Sequence, residues 1–252
     1  MQRFYIKSFK KEESFILEDK EISHQLKKVL RIKEGEKVIF FDGLENIDFV
    51  YEIVQINNKN IILKLDSKIQ KDSELNFELN LFQAMPNKLD KIEYILQKGV
   101  EIGYKKFVFY RSERSQKLVI SEKKEERLKK IIVEAVEQSG RNFVPEFDLT
   151  PSPSPLEERG KNVNIFLHTK NNNSQNLSEF IKNKNSLSTE GFSPLKEVRQ
   201  DLNIFIGPEG GFSDNEVNNC EKNNFSRIHL GNRILRTETA GIVVGFTLGQ
   251  II

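Results

Sequence analysis

The stretch IFIGPEGGFSDNEV, residues 204–217, decides the fold of the second half of the chain. An apolar run of strand character ends in Gly-Pro-Glu-Gly-Gly, and a polar segment of helical character follows at once. Ser213 and Glu216 form an S-x-x-E capping box, which predicts a helix that begins at residue 213 or 214. Strand, glycine turn and helix in this order predict a ligand site at the carboxyl end of a parallel strand.

The glycine turn itself limits the kind of ligand. Gly207, Gly210 and Gly211 carry no side chain that would keep a ligand away from the backbone. The turn lacks the lysine of a phosphate-binding loop, and G-x-G-x-x-G does not fit it either, which disfavours an NTPase. An acidic residue, Glu209, lies inside it. The sequence therefore indicates either a ligand without phosphate or a turn whose glycines serve packing alone.

From about residue 75 onward, strand-like and helix-like segments alternate. This alternation predicts an α/β fold in which helices cover a parallel sheet. Residues 87–103 and 121–140 predict helices, the first of them capped by Gly103. Residues 151–162 and the Asn- and Ser-rich residues 171–193 predict surface loops. The predicted strands lie within residues 75–85, 105–110, 163–168, 202–207 and 227–231.

Residues 1–72 show mainly strand-like segments and predict a separate, small β-rich domain. Residues 36–43, 47–56 and 60–69 are rich in β-branched and aromatic residues and predict three strands. Residues 22–32 interrupt the pattern with a helix whose apolar face includes Val29. Short strands with one helix predict a compact barrel, followed by a second domain over residues 73–252.

The composition excludes several classes of protein. The chain has 39 basic and 37 acidic side chains, a net charge of +2, so any nucleic-acid surface must be local. The single Cys220 permits no internal disulfide and fits a reducing, cytoplasmic location. The N-terminus has no signal-peptide core, and the apolar C-terminal segment is too short to span a bilayer. The three histidines and one cysteine lack ligand-like spacing, so no metal is expected.

A second segment, LGNRILRTETAGIVVGFTLGQ at residues 230–250, favours the ligand interpretation of the turn. Ile234 and Leu235 lie in a loop that two arginines flank, a pattern typical of a pocket wall for a flat, partly apolar group such as adenine. Thr237 is predicted to cap the following helix, with Glu238 in its first turn. The alternative is a buried loop that ties down the C-terminal helix.

IGPEGGFSDNEV (206–217) and LGNRILRTETA (230–240) together closely resemble the ribosomal small subunit methyltransferase E family, knotted enzymes of the SPOUT superfamily. Four further segments support the resemblance. Residues 24–43 look like the family's N-terminal PUA-like barrel, and LQKGVEIG, RSERS and EAVEQSGRNFVPE look like its first βα units. The match covers residues 3–148 and 203–250 in order. It implies a parallel-sheet SPOUT domain with a deep trefoil knot, which sequence physics alone would not predict.

The cofactor that the resemblance implies is S-adenosylmethionine. It carries no phosphate, its adenosine suits backbone amides and an apolar slot, and its activated methyl group requires no metal. The glycine turn and the second loop are the expected binding elements. The implied cofactor-binding residues are Ile206, Gly207, Pro208, Glu209, Gly210, Gly211, Leu230, Gly231, Ile234, Leu235, Arg236, Thr237, Thr239 and Ala240.

The reaction that the resemblance implies is methylation of ring nitrogen 3 of a uridine in 16S ribosomal RNA. The uracil must lose a proton, and a cation beside a carbonyl oxygen would stabilise the anion. Arg236 is the candidate cation and Glu238 the candidate base. Their alternatives are a salt bridge that fixes the loop and a residue that favours the first turn of a helix.

The resemblance also implies partners. The 30S ribosomal subunit and its RNA are the expected substrate, and a two-fold symmetric homodimer is the expected assembly. Basic side chains near element ends are the candidates for RNA phosphate contacts, although any single one is more often a solvated charge. The predicted RNA-binding residues are Arg3, His24, Lys27, Lys28, Arg31, Arg114 and Arg141.

Two other functions stay open at this point. A related SPOUT methyltransferase acting on transfer RNA would keep the knot but usually carries a different N-terminal domain. A non-catalytic RNA-binding module would keep the PUA-like barrel and lose the adenosylmethionine loops, which look intact here.

Overall fold

The computed structural model describes residues 1–7, 9–57, 60–153, 162–169, 171, 173–186 and 201–251 of the 252-residue chain. The chain divides into two compact units. The first comprises Met1–Glu74 with Val136–Val144, and the second comprises Leu75–Ala135 with Pro145–Ile252.

The first unit is built on a five-stranded sheet in the order β1-β3-β4-β5-β2, in which only the β1–β3 pair is parallel. The strands predicted within residues 36–43, 47–56 and 60–69 are confirmed. β1 and β2 were missed, because three residues carry too little periodicity to identify a strand. The five strands are β1 (Arg3–Tyr5), β2 (Ser14–Ile16), β3 (Lys37–Phe41), β4 (Ile47–Ile56) and β5 (Ile61–Gln70).

An aromatic core fills this unit. Phe40, Phe49 and Tyr51 are almost fully buried, and the ring of Phe15 meets that of Tyr51 edge-on at a centroid distance of 4.9 Å. Alternate residues of β4 and β5 point into this core, which explains their enrichment in β-branched and aromatic residues. Such edge-to-face pairs add to the stability that burial provides.

The predicted helix over residues 22–32 is present but changes its winding. α1 (Lys20–His24) continues directly into a π-helical segment, Gln25–Leu30, which Arg31 ends in the left-handed conformation with φ 51°. The wider π-helical spacing moves Val29 off the core face, so Val29 is 66% exposed while Leu26 is buried. The prediction that Val29 shares the apolar face was wrong for this reason.

The second unit is built on a seven-stranded sheet in the order β10-β12-β9-β11-β6-β7-β8, and all its strand pairs are parallel. The α/β fold with a parallel sheet is thereby confirmed. The strands are β6 (Leu79–Ala84), β7 (Lys106–Arg111), β8 (Glu146–Pro153), β9 (Val163–Leu167), β10 (Gln175–Asn176), β11 (Leu202–Ile206) and β12 (Ser226–His229).

Five helices accompany these strands in the described part of the chain, and four of them were predicted, two with closely placed ends. Gly103, with φ 103°, follows the first of them, as the predicted glycine cap requires. Ser213 and Glu216 make both hydrogen bonds of the predicted capping box. The helices are α2 (Leu89–Glu101), α3 (Glu122–Ser139), α5 (Asp214–Lys222) and α6 (Thr237–Ile251), and α4 (Leu177–Ser186) is a fifth that was not predicted.

Two predicted loops were wrong in part. β8 extends to Pro153, and β10 and α4 occupy residues 175–186, where Asn and Ser suggested a loop. Leu177, Phe180 and Ile181 of α4 are buried, so tertiary packing overrides the weak helix propensity of its polar residues. Residues 154–161, 172 and 187–193 of the predicted loops lie outside the described residues.

The middle of the sheet is held in register by an asparagine ladder. Asn203 lies opposite Asn80 and Asn164 on the neighbouring strands. The Asn80 amide donates to the Asn203 side-chain oxygen over 3.0 Å, and the Asn203 amide donates to that of Asn164 over 2.8 Å. A one-residue slip would break both bonds, so the ladder helps to align the strand ends that carry the site.

α6 packs closely on α2 and the sheet because three of its glycines face neighbours. A Cβ atom at Gly245 would lie 2.6 Å from the Tyr104 hydroxyl oxygen, and that hydroxyl donates to the Gly241 carbonyl over 2.8 Å. A larger side chain at Gly245 would therefore lift the helix away from Tyr104. This close approach positions the start of α6 beside the ends of β6 and β11.

Candidate functional site

The candidate site begins at the turn between β11 and α5. The Gly211 N–H donates to the Pro208 carbonyl over 2.9 Å, and Gly211 has φ 70°, a conformation that strongly favours glycine. The turn thus folds tightly at the carboxyl end of the central strand. This is the place where open parallel sheets bind ligands.

Three neighbouring segments hold the turn in place. The Thr237 hydroxyl donates to the Gly207 carbonyl over 2.7 Å. The Arg114 guanidinium donates to the carbonyls of Gly210 and Phe212 over 3.3 and 3.1 Å. From the other side, the Glu209 carboxylate is bound to the start of α2. The backbone of the turn is therefore preorganised rather than mobile, which reduces the entropic cost of binding a ligand.

The glycines of the turn have different reasons to be glycine. A Cβ atom at Gly207 would lie 3.1 Å from the Phe212 ring and 3.2 Å from its backbone nitrogen, so packing alone accounts for Gly207. A Cβ atom at Gly210 would meet nothing closer than the Arg114 Cβ at 3.5 Å, an ordinary contact. The packing interpretation of the turn therefore holds for Gly207, whereas the described residues give no packing reason for a glycine at position 210.

Arg114 reaches the turn because a buried carboxylate fixes its loop. Glu216, the capping-box residue of α5, accepts from the Ser112 hydroxyl over 2.7 Å and from the Glu113 N–H over 3.1 Å. Glu216 is 4% exposed and also accepts from the Ser213 N–H. One side chain thus caps a helix and anchors the loop after β7, a double role that the S-x-x-E pattern does not reveal.

The second loop, after β12, is more exposed than predicted. Gly231 has φ 106°, and its N–H donates to Nδ1 of His229 over 3.2 Å. Ile234 is 86% exposed, so within this chain it does not form the expected wall of an apolar pocket. Arg236 is exposed too, and in the described part of the chain its guanidinium has no hydrogen-bond or ion-pair partner. The alternative in which Arg236 fixes the loop through a salt bridge is therefore disfavoured.

Thr237 has another role than the predicted helix cap. It is the first residue of α6, and its hydroxyl accepts from the Gln83 side-chain amide over 2.7 Å while it donates to Gly207. Gln83 is fully buried at the end of β6. The hydroxyl thus links β6, the glycine turn and α6 instead of binding the first N–H groups of its own helix.

Two carboxylates and a lysine form the polar part of the site. Lys91 donates from Nζ to Oε1 of Glu209 over 2.7 Å, and the Asn87 N–H donates to the same oxygen over 3.2 Å. Burial raises the pKa of the Glu209 carboxyl, but the hydrogen bonds from Lys91 and from backbone N–H groups outweigh this and lower it. Glu209 therefore remains a carboxylate at neutral pH. Its side chain points toward α2, which sequence reasoning did not anticipate.

Glu238 keeps one acceptor without a donor. The residue is 9% exposed, and its Oε2 is buried without a hydrogen bond to any described residue; Nζ of Lys91 lies 3.9 Å away. Oε1 of Gln83 is another buried oxygen without a donor in the described part of the chain. A native protein rarely leaves such atoms unpaired, so these two oxygens indicate a site that a ligand or substrate completes.

The other predicted cofactor-binding residues lie in or next to the glycine turn and the second loop. Ile206 and Pro208 are buried, Glu209, Gly210 and Gly211 are exposed, and Leu230, Leu235, Thr239 and Ala240 are half-buried. The Thr237–Gly207 hydrogen bond brings the turn and the second loop together.

Two of the predicted RNA-binding arginines are bound inside the first unit instead. The Arg3 guanidinium donates to Asp48 over 2.7 Å and to backbone carbonyls of residues 136, 137 and 141. Arg141 is 3% exposed, and two of its guanidinium nitrogens donate hydrogen bonds to the Glu74 carboxylate. The structure disfavours the prediction that Arg3 and Arg141 contact RNA phosphates, because Asp48 and Glu74 already neutralise them.

The other predicted RNA-binding residues are accessible to different degrees. His24, Lys28 and Arg31 are exposed around the π-helical segment, whereas Lys27 donates to the Asn57 carbonyl over 2.8 Å. Arg114 is exposed but directs one nitrogen at the glycine turn. Three of the seven predicted positions thus present a free basic surface within the described first unit.

Two further properties concern the described residues as a whole. No three His, Cys, Asp or Glu side chains among them lie together as a metal site requires. None of their helices is long and apolar enough to cross a membrane.

Comparison with known proteins gives consistent matches over nearly the whole chain. Residues 73–248 match the model of an RNA methyltransferase domain, and residues 17–66 match that of an RNA methyltransferase PUA domain. The chain is 33% identical to the ribosomal RNA small subunit methyltransferase E of Mesomycoplasma hyopneumoniae over 96% of both chains. It is 30% identical to that of Bacillus subtilis, over 95% of this chain and 93% of the other.

Two solved structures are also similar. One is a putative methyltransferase from Legionella pneumophila in complex with bound SAM, with a TM-score of 0.79 and 28% identity over 98% of this chain and 96% of the other. The other is a ribosomal RNA small subunit methyltransferase E from Neisseria gonorrhoeae bound to S-adenosyl methionine. It has a TM-score of 0.79 and 25% identity over 99% of this chain and 97% of the other.

Proposed function

Because the chain belongs to the ribosomal RNA small subunit methyltransferase E family, we propose that it methylates ring nitrogen 3 of a uridine in 16S ribosomal RNA, with S-adenosylmethionine as the methyl donor. The observation that carries this proposal is the hydrogen-bonded turn at Gly207–Gly211 together with Glu238, whose Oε2 has no hydrogen-bond donor among the described residues. A preformed backbone cradle and an unpaired acceptor are what cofactor binding and proton removal require.

The residues of the site fit the cofactor. Among the described residues, a Cβ atom at Gly210 would make only ordinary contacts, and Oε1 of Gln83 has no donor, so space and an acceptor remain beside the turn. S-adenosylmethionine would be held by Ile206–Gly211, Leu230, Gly231, Ile234, Leu235, Arg236, Thr237, Thr239 and Ala240. Ile234 is too exposed to form a wall by itself. When bound, the cofactor supplies a methyl group activated by its sulfonium.

Glu238 would remove the uracil proton, and Arg236 would stabilise the resulting negative charge. Oε2 of Glu238 would accept the N3 proton of the uracil, since that oxygen has no other donor among the described residues. Arg236 would place its guanidinium beside a uracil carbonyl oxygen, where negative charge develops as the proton leaves. Its exposure, with no partner for its guanidinium in the described part of the chain, leaves Arg236 available for that contact.

The RNA would be held by both parts of the chain. Residues 1–72 act as the PUA-like RNA-binding domain, with His24, Lys28 and Arg31 as backbone contacts. Residues 73–252 act as the SPOUT domain, in which family membership implies a trefoil knot. Arg114 is a further contact for a phosphate, because its guanidinium lies at the edge of the turn.

The assembly would be a homodimer formed by the second unit. Val243 and Phe246 of α6 are 38% and 55% exposed, and Tyr94 of α2, a helix that packs against α6, is 45% exposed. Leu248 is buried in the protein instead, so the apolar residues of α6 serve both the core and this surface. An exposed apolar surface on two adjacent helices supports a symmetric interface.

Methyl transfer from labelled S-adenosylmethionine to three RNAs tests the proposal. The substrates are 30S subunits, naked 16S ribosomal RNA and transfer RNA. We expect incorporation into the ribosomal substrates and none into transfer RNA. Incorporation into transfer RNA alone would favour the related SPOUT function. Failure to bind S-adenosylmethionine in calorimetry would favour a non-catalytic module.

A further inference from the structure

Lys91 of α2 lies between two carboxylates that belong to different segments of the site. Its Nζ is 2.7 Å from Oε1 of Glu209 in the glycine turn and 3.9 Å from Oε2 of Glu238 in the first turn of α6. The three side chains are 21%, 32% and 12% exposed, respectively. No sequence motif singled out Lys91, since it is one of two lysines on an amphipathic helix.

We propose that Lys91 is a positioning residue for methyl transfer. It holds the Glu238 carboxylate beside the glycine turn and makes no hydrogen bond to Oε2, the atom that accepts the proton. This role rests on the proposed function, because it takes Glu238 as the group that receives the uracil proton. Lys91 itself would touch neither the cofactor nor the RNA.

The geometry separates the two contacts of Lys91 by kind. The contact with Glu209 is a charge-assisted hydrogen bond, whereas the contact with Glu238 is an ion pair too long for a hydrogen bond. A cation at 3.9 Å attracts the carboxylate but does not occupy its lone pairs. Glu238 is therefore held electrostatically, and its buried Oε2 keeps no hydrogen-bond donor among the described residues.

Lys91 can act in this way because its own position is fixed. Its partner Glu209 also accepts from the Asn87 N–H over 3.2 Å, so the carboxylate that orients the ammonium is tied to the backbone. The next residue, Ile92, is fully buried, which anchors this turn of α2 in the core. A surface lysine normally samples many rotamers, whereas this one is held at both ends.

The competing explanation for the position of Lys91 is that it only connects α2 to the glycine turn. If Lys91 only bound α2 to the glycine turn, its loss would loosen the turn, lower the melting temperature and weaken cofactor binding. If it positions Glu238, its loss would mainly slow the chemical step. Turnover, cofactor affinity and thermal stability of the full-length enzyme therefore have to be measured together.

Lys91→Met removes the charge and retains the length of the side chain. We expect kcat to fall about tenfold or more, while the S-adenosylmethionine Kd changes by less than about threefold. Lys91→Arg should recover most of the activity, because it restores a cation at the same place. Lys98→Met is the matched control: it removes an ion pair with Glu101 on the same helix and should leave kcat unchanged.

Two measurements distinguish a positioning role of Lys91 from a purely structural one. RNA containing 5-fluorouridine has a more acidic N3–H, so it should restore much of the kcat that Lys91→Met loses. If the variant had only lost structure, a more acidic substrate would not restore its kcat. The double variant Lys91→Met/Glu238→Gln should be no slower than Glu238→Gln alone.

Three results would overturn the role of Lys91. They are an unchanged kcat for Lys91→Met, a loss confined to cofactor Kd, and a double variant whose losses multiply. A wild-type enzyme that binds the cofactor but methylates no uridine would instead contradict the proposed function, and with it this role.

Discussion

The side-chain hydroxyl of Thr237 donates a 2.7 Å hydrogen bond to the backbone carbonyl of Gly207, thirty positions earlier in the chain. The same hydroxyl accepts from the buried Gln83. One oxygen atom therefore joins the glycine turn after β11, the end of β6 and the first residue of α6. The site depends on this connection, because it joins the glycine turn to the first residue of α6, which directly follows the second loop.

Thr237→Val tests the connection. Valine has nearly the same shape but leaves the Gln83 amide and the Gly207 carbonyl without their partner, so we expect a loss of about 1–3 kcal/mol in the free energy of unfolding. Cofactor affinity should fall as well, since the turn loses one of its three anchors. Urea unfolding and calorimetry measure the two effects.

The control for that experiment lies on the same helix. The Thr247 hydroxyl donates to the Val243 carbonyl within α6. It makes no hydrogen bond to the described residues of the glycine turn. Thr247→Val should leave cofactor affinity unchanged. Equal affinity losses in the two variants would show that the Thr237 contact has no special role in the site.

Gly210→Ala tests whether the turn receives a ligand. A methyl group at this position meets the Arg114 Cβ at 3.5 Å and needs no unusual backbone conformation, so we expect the protein to fold normally. Cofactor Kd should rise at least about tenfold, since overpacking a bound ligand costs about 1–3 kcal/mol.

Gly249→Ala is the comparison for Gly210→Ala. Its Cβ would also meet its nearest neighbour at 3.5 Å, but near the end of α6. This substitution should leave cofactor affinity intact and keep or raise stability, because alanine favours the helix. A Gly210→Ala protein that binds S-adenosylmethionine normally would refute the placement of the cofactor on this turn.

Arg236→Ala should lower turnover about a hundredfold with little change in cofactor Kd, as expected for a cation that stabilises charge only in the transition state. Arg233→Ala, three residues earlier in the same exposed loop, serves as the control and should lose less activity. If Arg236→Ala weakened cofactor binding and turnover to the same extent, Arg236 would be a binding residue and not a catalytic one.

Phe246→Asp tests the proposed homodimer. Phe246 is 55% exposed on α6, and a charge there should weaken a symmetric apolar interface by about 2 kcal/mol or more if Phe246 is one of its anchors. Sedimentation velocity should show a dimer for the wild type and a monomer for the variant at low micromolar concentration. Ile69→Asp, at a 42% exposed position of β5, should remain dimeric. A monomeric wild type would contradict the proposed assembly.

Local signals in the sequence predicted much of the fold. The capping box of Ser213 and Glu216, the glycine after α2 and the apolar strands of both units depend on residues a few positions apart, and all are present. α4 was missed because its stability comes from buried Leu177, Phe180 and Ile181, which lie among residues typical of loops. Tertiary packing of this kind leaves little trace in a single sequence.

The candidate site was only partly predictable for a related reason. The glycine turn and the second loop are recognisable motifs, but Lys91 and Glu209 are separated by 118 positions, and nothing local links them. Arg3 and Arg141 look like surface charges until Asp48 and Glu74 are placed beside them. Ion pairs between distant segments decide which charged residues are free for a substrate, and these depend on topology.

The most direct test of the central claim identifies the methylated atom. 30S subunits lacking the modification are treated with the enzyme and isotope-labelled S-adenosylmethionine, and the ribosomal RNA is digested to nucleosides for mass spectrometry against synthetic standards. We predict label in 3-methyluridine and its loss in Glu238→Gln. With RNA that contains 5-fluorouridine, Glu238→Gln should recover part of the label, as 5-fluoro-3-methyluridine. Label in 5-methyluridine, in a ribose 2′-O-methyl group or in a methylated cytidine would contradict this prediction.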